Sequence, residues 1–266
     1  MGQIRTFSTN DEVEKVLFRL PSRDISEFVR NAIVEKGNRM PQAVILCGGL
    51  GTRLYPITKE IPKSMVMVNG KAFLEHQIEL LKKNNIYDIV LCVGHMSDQI
   101  KKYFGNGKKL GVNISYGDPK NAKYDTGGVI KGAENLLTKH FFVVYGDSYL
   151  PIDFNGVMES FLIHKKKGLM TVLRNFDKYD KSNTNIKNGL VTGYDKNAGF
   201  PYIDFGLSVL DRTVISQMPK NTKFSLSDVF KMLIEKNQLA AYEVDQRPYE
   251  IGSFDGLKDF EEMICK

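Results

Sequence analysis

The sequence predicts an α/β protein with a mixed sheet in a Rossmann-like, three-layer α/β/α arrangement, preceded by a small β-α-α appendage. Three uninterrupted apolar runs end at or near glycine: AVILCGG (43–49), DIVLCVG (88–94) and FFVVYGD (141–147). Helical patterns separate them, and such alternation is typical of parallel strands covered on both faces. After residue 168 strand-like runs follow one another with less helix between them, which indicates an antiparallel or mixed extension.

The other elements follow from periodicity and from residues that favour helix ends. Leu74, Ile78 and Leu81 form one apolar stripe at helical spacing. Ser225, with an aspartate in the first turn after it, marks the start of another helix. The predicted helices span 74–85, 97–104 (with a Ser N-cap), 127–137 and 225–239, and the further strands span 112–117, 169–175, 189–196 and 202–211.

The net charge, the cysteine positions and the lack of a long apolar run limit the classes of protein to which this chain can belong. The formal net charge of +6 suits polyanionic ligands, but a solvated lysine-rich surface is the preferred explanation when charge is considered alone. Cys47, Cys92 and Cys265 have unrelated spacings, which excludes a disulfide framework or a zinc site. No run of 18 apolar residues occurs. We therefore expect a cytoplasmic protein with no membrane association.

A glycine-rich segment directly after the first strand is the first candidate site. Gly48, Gly49 and Gly51 let the backbone approach a ligand and turn its N–H groups toward phosphate. The segment matches neither the dinucleotide fingerprint nor the P-loop. Arg53 and Lys63 add two cations, which suit a triphosphate at the carboxyl end of a strand. A glycine-rich turn with a solvated arginine stays open as the alternative.

These residues carry a specific family resemblance. GGLGTRL (48–54) followed by IPKSM (61–65) is similar to the signature G-G-x-G-T-R-L…P-K-P-M of the sugar-1-phosphate nucleotidyltransferases. That family includes mannose and heptose 1-phosphate guanylyltransferases and glucose 1-phosphate thymidylyl- and cytidylyltransferases. The resemblance covers about residues 41–264. It implies a Mg²⁺-dependent reaction of a nucleoside triphosphate with a sugar 1-phosphate that releases pyrophosphate.

Two later motifs resemble the metal-binding stations of the family. Tyr145-Gly146-Asp147 closes the third apolar run, and its aspartate corresponds to the family's metal ligand. Residues 249–253, YEIGS, resemble the late D-[IV]-G-T motif, so Glu250 corresponds to the second ligand with one extra methylene. Asp255 is a rival ligand, although we expect it to cap a helix.

Three further segments resemble substrate-binding stations. Residues 125–128, DTGG, are similar to the L-G-T-G-G segment that contacts the base, with an aspartate in place of the first glycine. Asp195 and Lys196 resemble the E-K-P segment that contacts the sugar and its phosphate, although no proline follows. Asp204 lies where the family has a sugar-pocket strand; it addresses a sugar hydroxyl or is simply an edge-strand polar residue.

The resemblance thus implies a full set of site residues. Arg53 and Lys63 are the catalytic candidates; the nucleotide-binding set is Cys47, Gly48, Gly49, Gly51, Thr52, Arg53, Lys63, Thr126 and Gly127; the substrate set is Asp195, Lys196 and Asp204; and the metal ligands are Asp147 and Glu250. Guanylyl transfer to mannose or heptose 1-phosphate is the favoured reaction. Cytidylyl or thymidylyl transfer to glucose 1-phosphate or phosphocholine stays open, as does a DNA-binding regulator with a nucleotide-sensing domain.

Residues 1–39 are predicted to form a separate unit in front of a transferase domain at 40–266. A strand-like start followed by two helical patterns resembles a ribbon-helix-helix module. A homodimerising arm is the preferred interpretation, while DNA binding and an unstructured extension remain open.

Overall fold

The structure is a computed structural model that describes residues 41–265. The β-α-α unit predicted for residues 1–39 lies outside the described residues. Among the described residues, no helix has both the length and the apolar character needed to cross a membrane.

A nine-stranded mixed sheet organises the described residues. Its strands are β1 Gln42–Cys47, β4 Asp88–Val93, β5 Asn113–Tyr116, β6 His140–Tyr145, β8 Gly168–Arg174, β9 Thr184–Lys187, β10 Leu190–Tyr194, β11 Tyr202–Asp211 and β12 Leu239–Val244. Their order across the sheet is β5-β4-β1-β6-β11-β8-β12-β10-β9. Two small ladders lie outside the sheet and pair β2 Met67–Val68 with β3 Lys71–Ala72, and β7 Ser148–Tyr149 with β13 Tyr249–Glu250.

The sheet is parallel in its first half and mixed in its second. Strands β5, β4, β1 and β6 run parallel, as the continuous apolar runs predict. Strand β11 then lies antiparallel to both β6 and β8, and β10 and β9 pair antiparallel at the far edge. The predicted α/β class and mixed sheet are confirmed.

Apolar residues of the central strands point alternately into two cores. Ala43 and Ile45 of β1 belong to one buried cluster, and Val44 between them belongs to another. The helices that contribute residues to these two cores are α1 Phe73–Lys83, α2 Ser97–Phe104, α3 Asp125–Gly132, α4 Phe154–His164, α5 Arg212–Ser216 and α6 Leu226–Glu235. The last helix, α7 Phe254–Ile264, packs in a third buried cluster with Leu54 and Phe73.

Several helix ends differ from the predictions, and the helix predicted at 74–85 spans Phe73–Lys83. Met96, not Ser97, occupies the N-cap position of α2. The helix predicted at 127–137 begins at Asp125 and ends at Gly132, a residue with low helix propensity, and a 3₁₀ turn follows. The helix predicted at 225–239 ends at Glu235. Its predicted start is confirmed, because Ser225 and Asp228 form a capping box.

Candidate active site

A cavity of about 300 Å³ opens at the carboxyl ends of β1 and β6. The chain leaves β1 toward β4 on one side and later returns to add β6 on the other. Such a reversal of strand order is where open α/β sheets bind their ligands. The lining residues come from β1 and its following loop, from the Lys63 turn, from β4, from α3 and from the end of β6: Leu46, Cys47, Gly48, Gly49, Gly51, Lys63, Ser64, Cys92, Asp125, Thr126, Val129, Tyr145, Gly146 and Asp147.

The glycine-rich loop folds tightly at Gly51. This residue has a left-handed conformation, with φ 66°. A Cβ atom there would lie 2.9 Å from the Cβ of Lys63. The carbonyl of Gly51 accepts hydrogen bonds from the Leu54 N–H at 2.9 Å and from the Thr58 hydroxyl at 2.7 Å. Only glycine both tolerates this conformation and leaves room for the lysine.

Lys63 faces the carboxylate predicted to bind metal. Its Nζ donates a hydrogen bond to Oδ2 of Asp147 and forms an ion pair with it. The side chains are 13% and 29% exposed, so solvent screens this pair less than a surface pair. The structure therefore brings one predicted cation and one predicted metal ligand together at the cavity wall.

The short β7–β13 ladder brings the second predicted metal ligand to the same place. Glu250 pairs with Ser148, the residue that follows Asp147. The N–H of Ile251 donates to the carbonyl oxygen of Asp147 at 2.9 Å. Backbone hydrogen bonds thus fix the two carboxylate-bearing residues side by side.

Glu250 lies in an electrostatically crowded position. Water reaches its side chain, but the surrounding protein desolvates it enough to raise the pKa, and the charge of Asp147 raises the pKa further. Lys63 and Arg53 oppose that rise. Two neighbouring carboxylates and two cations therefore act on one another at this end of the cavity.

Arg53 reaches the same cluster from the glycine-rich loop. The side chain is exposed, and its Nη2 would lie 3.0 Å from a Cβ atom placed on Gly252. Glycine at position 252 therefore leaves the space that the guanidinium occupies. Residues 41–265 contain no group of three His, Cys, Asp or Glu side chains arranged to hold a metal ion, so Asp147 and Glu250 would need oxygens from a substrate to complete a metal site.

The first residues of helix α3 also line the cavity. Thr126 lines the cavity, but its hydroxyl oxygen accepts a hydrogen bond from the N–H of Leu226 at 2.8 Å. Gly127 does not line the cavity; a Cβ atom there would lie 2.5 Å from Cδ2 of Phe224. Both residues hold the start of α3 against the segment that leads into α6.

The predicted sugar-side residues form a second group beyond the cavity wall. Tyr194 donates a hydrogen bond to Oδ2 of Asp204 at 3.0 Å, and the N–H of Gly206 donates to Oδ1 at 2.9 Å. Burial nevertheless raises the pKa of Asp204 to about 6, and the charge of Lys196 counteracts part of that effect. Asp204 also helps to raise the pKa of Tyr145, after burial, which places this group beside the cavity.

Asp195 has a structural task in this region. Its Oδ1 accepts the N–H of Asn197 at 2.8 Å and so closes a turn after β10. Its neighbour Lys196 is exposed, and within residues 41–265 it forms no ion pair. Neither residue lines the cavity.

The sequence profile of a family described as nucleotidyl transferase matches residues 42–265. The chain belongs to the nucleotidyl transferase family. This confirms the resemblance carried by the glycine-rich loop and by the later acidic motifs, and with it the prediction of a nucleotidyltransferase.

Individual relatives of the nucleotidyl transferase cover most of its length. It is 32% identical over 217 residues to D-glycero-alpha-D-manno-heptose 1-phosphate guanylyltransferase of Campylobacter jejuni, a match covering 79% of this chain and 94% of that protein. It is 29% identical to mannose-1-phosphate guanyltransferase beta-B of Xenopus laevis, over 84% of this chain and 64% of that protein. Crystalline HddC from Yersinia pseudotuberculosis complexed with GMP-PN is 26% identical, with a TM-score of 0.70 over 85% of this chain and 100% of that one.

The structure gathers part of the predicted site and adds residues to it. Cys47, Gly48, Gly49, Gly51, Lys63, Thr126 and Asp147 line the cavity, whereas Thr52, Arg53, Gly127, Asp195, Lys196, Asp204 and Glu250 do not. Burial raises the pKa of the Cys47 thiol, which keeps it protonated and unsuited to nucleophilic attack. Strand and helix periodicity does not reveal which residues face a cavity, so sequence reasoning missed six lining residues: Leu46, Ser64, Cys92, Val129, Tyr145 and Gly146.

One predicted alternative is corrected. Asp255 does not cap α7, because the Ser253 hydroxyl caps it by accepting the N–H of Gly256 at 3.1 Å. Asp255 lies in the first turn of the helix, where a negative charge interacts favourably with the helix dipole.

Proposed function

We propose that this nucleotidyl transferase joins a sugar 1-phosphate to GTP, forming a GDP-sugar and pyrophosphate with Mg²⁺ as cofactor. The observation that carries the proposal is the convergence of Lys63, Asp147 and Glu250 at one end of a cavity whose rim is the glycine-rich loop. The guanylyltransferases of Campylobacter and Xenopus support guanine and a heptose or mannose acceptor. The GMP-PN complex of HddC supports guanine as well.

Both reactants are already ionised, so the reaction needs no general base. A phosphate oxygen of the sugar 1-phosphate attacks the α-phosphorus of GTP, and the bond from that phosphorus to the bridging oxygen of the leaving pyrophosphate breaks. The barrier comes from repulsion between two anions and from charge on the leaving group. Fixed cations in a preorganised site lower such a barrier.

The chain supplies those cations from two turns that face each other. Gly48, Gly49 and Gly51 present backbone N–H groups to the triphosphate. Arg53 binds the part that leaves as pyrophosphate, since its guanidinium is a fixed, bidentate phosphate donor. Lys63 places a positive charge beside the α-phosphate, at the position where it now contacts Asp147.

The donor set fits Mg²⁺. This ion takes one or two protein carboxylates and completes its shell with substrate phosphates and water, and Asp147 with Glu250 provide two carboxylates that repel each other without a cation. Bound Mg²⁺ neutralises phosphate charge. Asp147 and Glu250 would hold the ion, and Lys63, which contacts Asp147, would supply its positive charge to the substrate phosphates.

The acceptor binds on the side of Lys196 and Asp204. Lys196 is exposed and forms no ion pair among residues 41–265, which leaves its charge available to the phosphate of the sugar. Asp204 is held by hydrogen bonds from Tyr194 and the N–H of Gly206. It accepts a hydrogen bond from a sugar hydroxyl when ionised and donates one to it when protonated. Asp195 holds the turn that presents the lysine.

The proposal extends to architecture and setting. Apolar residues on both faces of β1 support the Rossmann-like, three-layer arrangement. The free thiols of Cys47, Cys92 and Cys265 suit a reducing cytoplasm. A homodimer formed through residues 1–39 remains our preferred role for that segment.

Pyrophosphate release across a substrate panel tests the function. Purified protein with Mg²⁺ is assayed with GTP, CTP, UTP, ATP and dTTP, each with mannose, heptose and glucose 1-phosphates and with phosphocholine. Release that requires GTP with a mannose or heptose 1-phosphate, and that disappears in Asp147→Ala, supports the proposal. Release with CTP or dTTP, or with phosphocholine, identifies the alternative transferases; silence with tight triphosphate binding points to a regulator.

A further inference from the structure

Asp125 stands out as a strained residue at the mouth of the cavity. Its backbone has φ 63° and ψ 179°, a combination that is almost restricted to glycine and costs on the order of 1–3 kcal/mol in other residues. The residue lines the cavity and is exposed. A non-glycine residue in such a conformation needs a reason, and strain of this kind concentrates at ligand-binding positions.

The surrounding segment enforces the conformation. The N–H of Phe224 donates to the carbonyl of Tyr124 at 3.1 Å, and the N–H of Gly128 donates to the carbonyl of Phe224 at 3.1 Å. The Thr126 hydroxyl is tied to Leu226. The main chain on both sides of Asp125 is therefore hydrogen-bonded to residues 224–226, the strap that precedes α6. These bonds prevent the backbone of Asp125 from relaxing to an unstrained conformation.

One oxygen of the Asp125 carboxylate is held by a hydrogen bond, and the other has hydrogen-bonding capacity left for a ligand. Its Oδ1 accepts the N–H of Thr126 at 2.6 Å, and no donor among residues 41–265 contacts Oδ2. Its charge reaches Tyr145, another wall of the cavity, where it adds to the effect of burial on that residue's pKa. Leu46, Cys92 and Val129 supply apolar surface in the same cavity, which suits the face of a base.

The arrangement of hydrogen-bond donors on the nucleotide bases determines which base this carboxylate can bind. An ionised carboxylate only accepts hydrogen bonds and can accept two in parallel. Guanine offers N1–H and N2–H side by side on one edge. Adenine and cytosine pair one amino donor with a ring acceptor, and uracil and thymine flank one N–H with two carbonyl oxygens, so a carboxylate meets repulsion from each of them.

We infer that Asp125 selects the base of the triphosphate by accepting two hydrogen bonds from the Watson–Crick edge of guanine. The inference rests on the proposed function only in placing a nucleotide in this cavity. Because the carboxylate is already held in place, binding the base does not require free energy to order that side chain. The strain at Asp125 is the stability cost of holding the carboxylate in that position.

Calorimetric titration with GTP and with CTP, in the presence of Mg²⁺ and without a sugar phosphate, tests the inference. Wild-type protein should bind GTP more tightly than CTP. Asp125→Asn keeps the size of the side chain but adds an N–H donor and removes the charge, so the GTP-to-CTP affinity ratio should fall about 10- to 100-fold. Asp98→Asn, an exposed aspartate on α2 outside the cavity, should leave the ratio unchanged.

Asp125→Gly separates recognition from structure. Glycine accepts φ 63° without strain, so this variant should have a higher melting temperature and the same loss of selectivity as Asp125→Asn. A purely structural aspartate would not produce gain in stability together with loss of selectivity. Wild-type selectivity in both variants, or equal affinity of the wild type for GTP and CTP, would overturn the inference and leave the proposed function standing; wild-type protein that binds no triphosphate would contradict both.

Discussion

Replacing Lys63 with methionine isolates the contribution of one positive charge to the reaction. Methionine keeps most of the apolar stem, so the packing of the turn Lys63–Met65 changes little. The charge lies beside Asp147 and near Glu250, and the side chain is only 13% exposed. Loss of one preorganised charge from such a site removes about 2–4 kcal/mol of transition-state stabilisation, which lowers kcat about 30- to 1000-fold.

The assay is pyrophosphate release at saturating GTP, sugar 1-phosphate and Mg²⁺, with thermal unfolding measured on the same preparation. Lys71→Met is the matched control, because Lys71 pairs with Glu79 at 2.5 Å but both side chains are well exposed, at 43% and 37%. Exposed pairs contribute only about 0–1 kcal/mol, so this control should keep its kcat. A folded Lys63→Met protein whose kcat stays within about threefold of wild type would refute the placement of Lys63 at the reacting phosphate.

Three further predictions concern the glycine-rich loop, the proposed metal ligand Glu250 and the carboxyl group of Asp204. Gly51→Ala should lower the free energy of unfolding by about 1–3 kcal/mol, because φ is 66° there and the new Cβ would lie 2.9 Å from the Cβ of Lys63. Gly49→Ala is the control and should leave the free energy of unfolding in urea unchanged, since a Cβ there has no atom within 4 Å. Equal unfolding free energies for the two variants would contradict the strain argument. Glu250→Gln should raise the half-saturating Mg²⁺ concentration at least about tenfold, and an unchanged Mg²⁺ titration would remove it from the metal site. The pKa of Asp204 rises from 3.8 to about 6 on folding, so its stabilising contribution is complete below pH 3.8 and is lost as the pH rises through 6. The unfolding free energy of wild type relative to Asp204→Asn should therefore fall by about 1–3 kcal/mol between pH 4 and pH 7, and a pH-independent difference would show that Asp204 is not desolvated.

The sequence predicted those parts of the fold and site that depend on neighbouring residues. Continuous apolar runs identified β1, β4 and β6 because strands buried on both faces need apolar side chains at every position. The glycines before Arg53 indicated a tight turn, and Gly51 forms one, with φ 66° and no room for a side chain beside Lys63.

What the sequence could not predict depends on contacts between distant segments. The β7–β13 ladder sets Glu250 beside Asp147 through backbone hydrogen bonds, and no local pattern encodes that pairing. Gly127 looks like a ligand-contacting glycine, but its missing side chain makes room for Phe224. The strain at Asp125 likewise becomes visible only once the strap before α6 fixes its backbone.

Phosphorus NMR of a complete reaction tests the central claim most directly. Protein, GTP, Mg²⁺ and mannose or heptose 1-phosphate are mixed, and the phosphorus signals are followed to completion. The account predicts that the GTP and sugar phosphate signals are replaced by those of a GDP-sugar and an equal amount of pyrophosphate, and that Asp147→Ala leaves the reactants unchanged. Two results with the wild-type protein would contradict the account. One is the formation of GDP and inorganic phosphate while the sugar 1-phosphate stays intact, and the other is a spectrum that does not change.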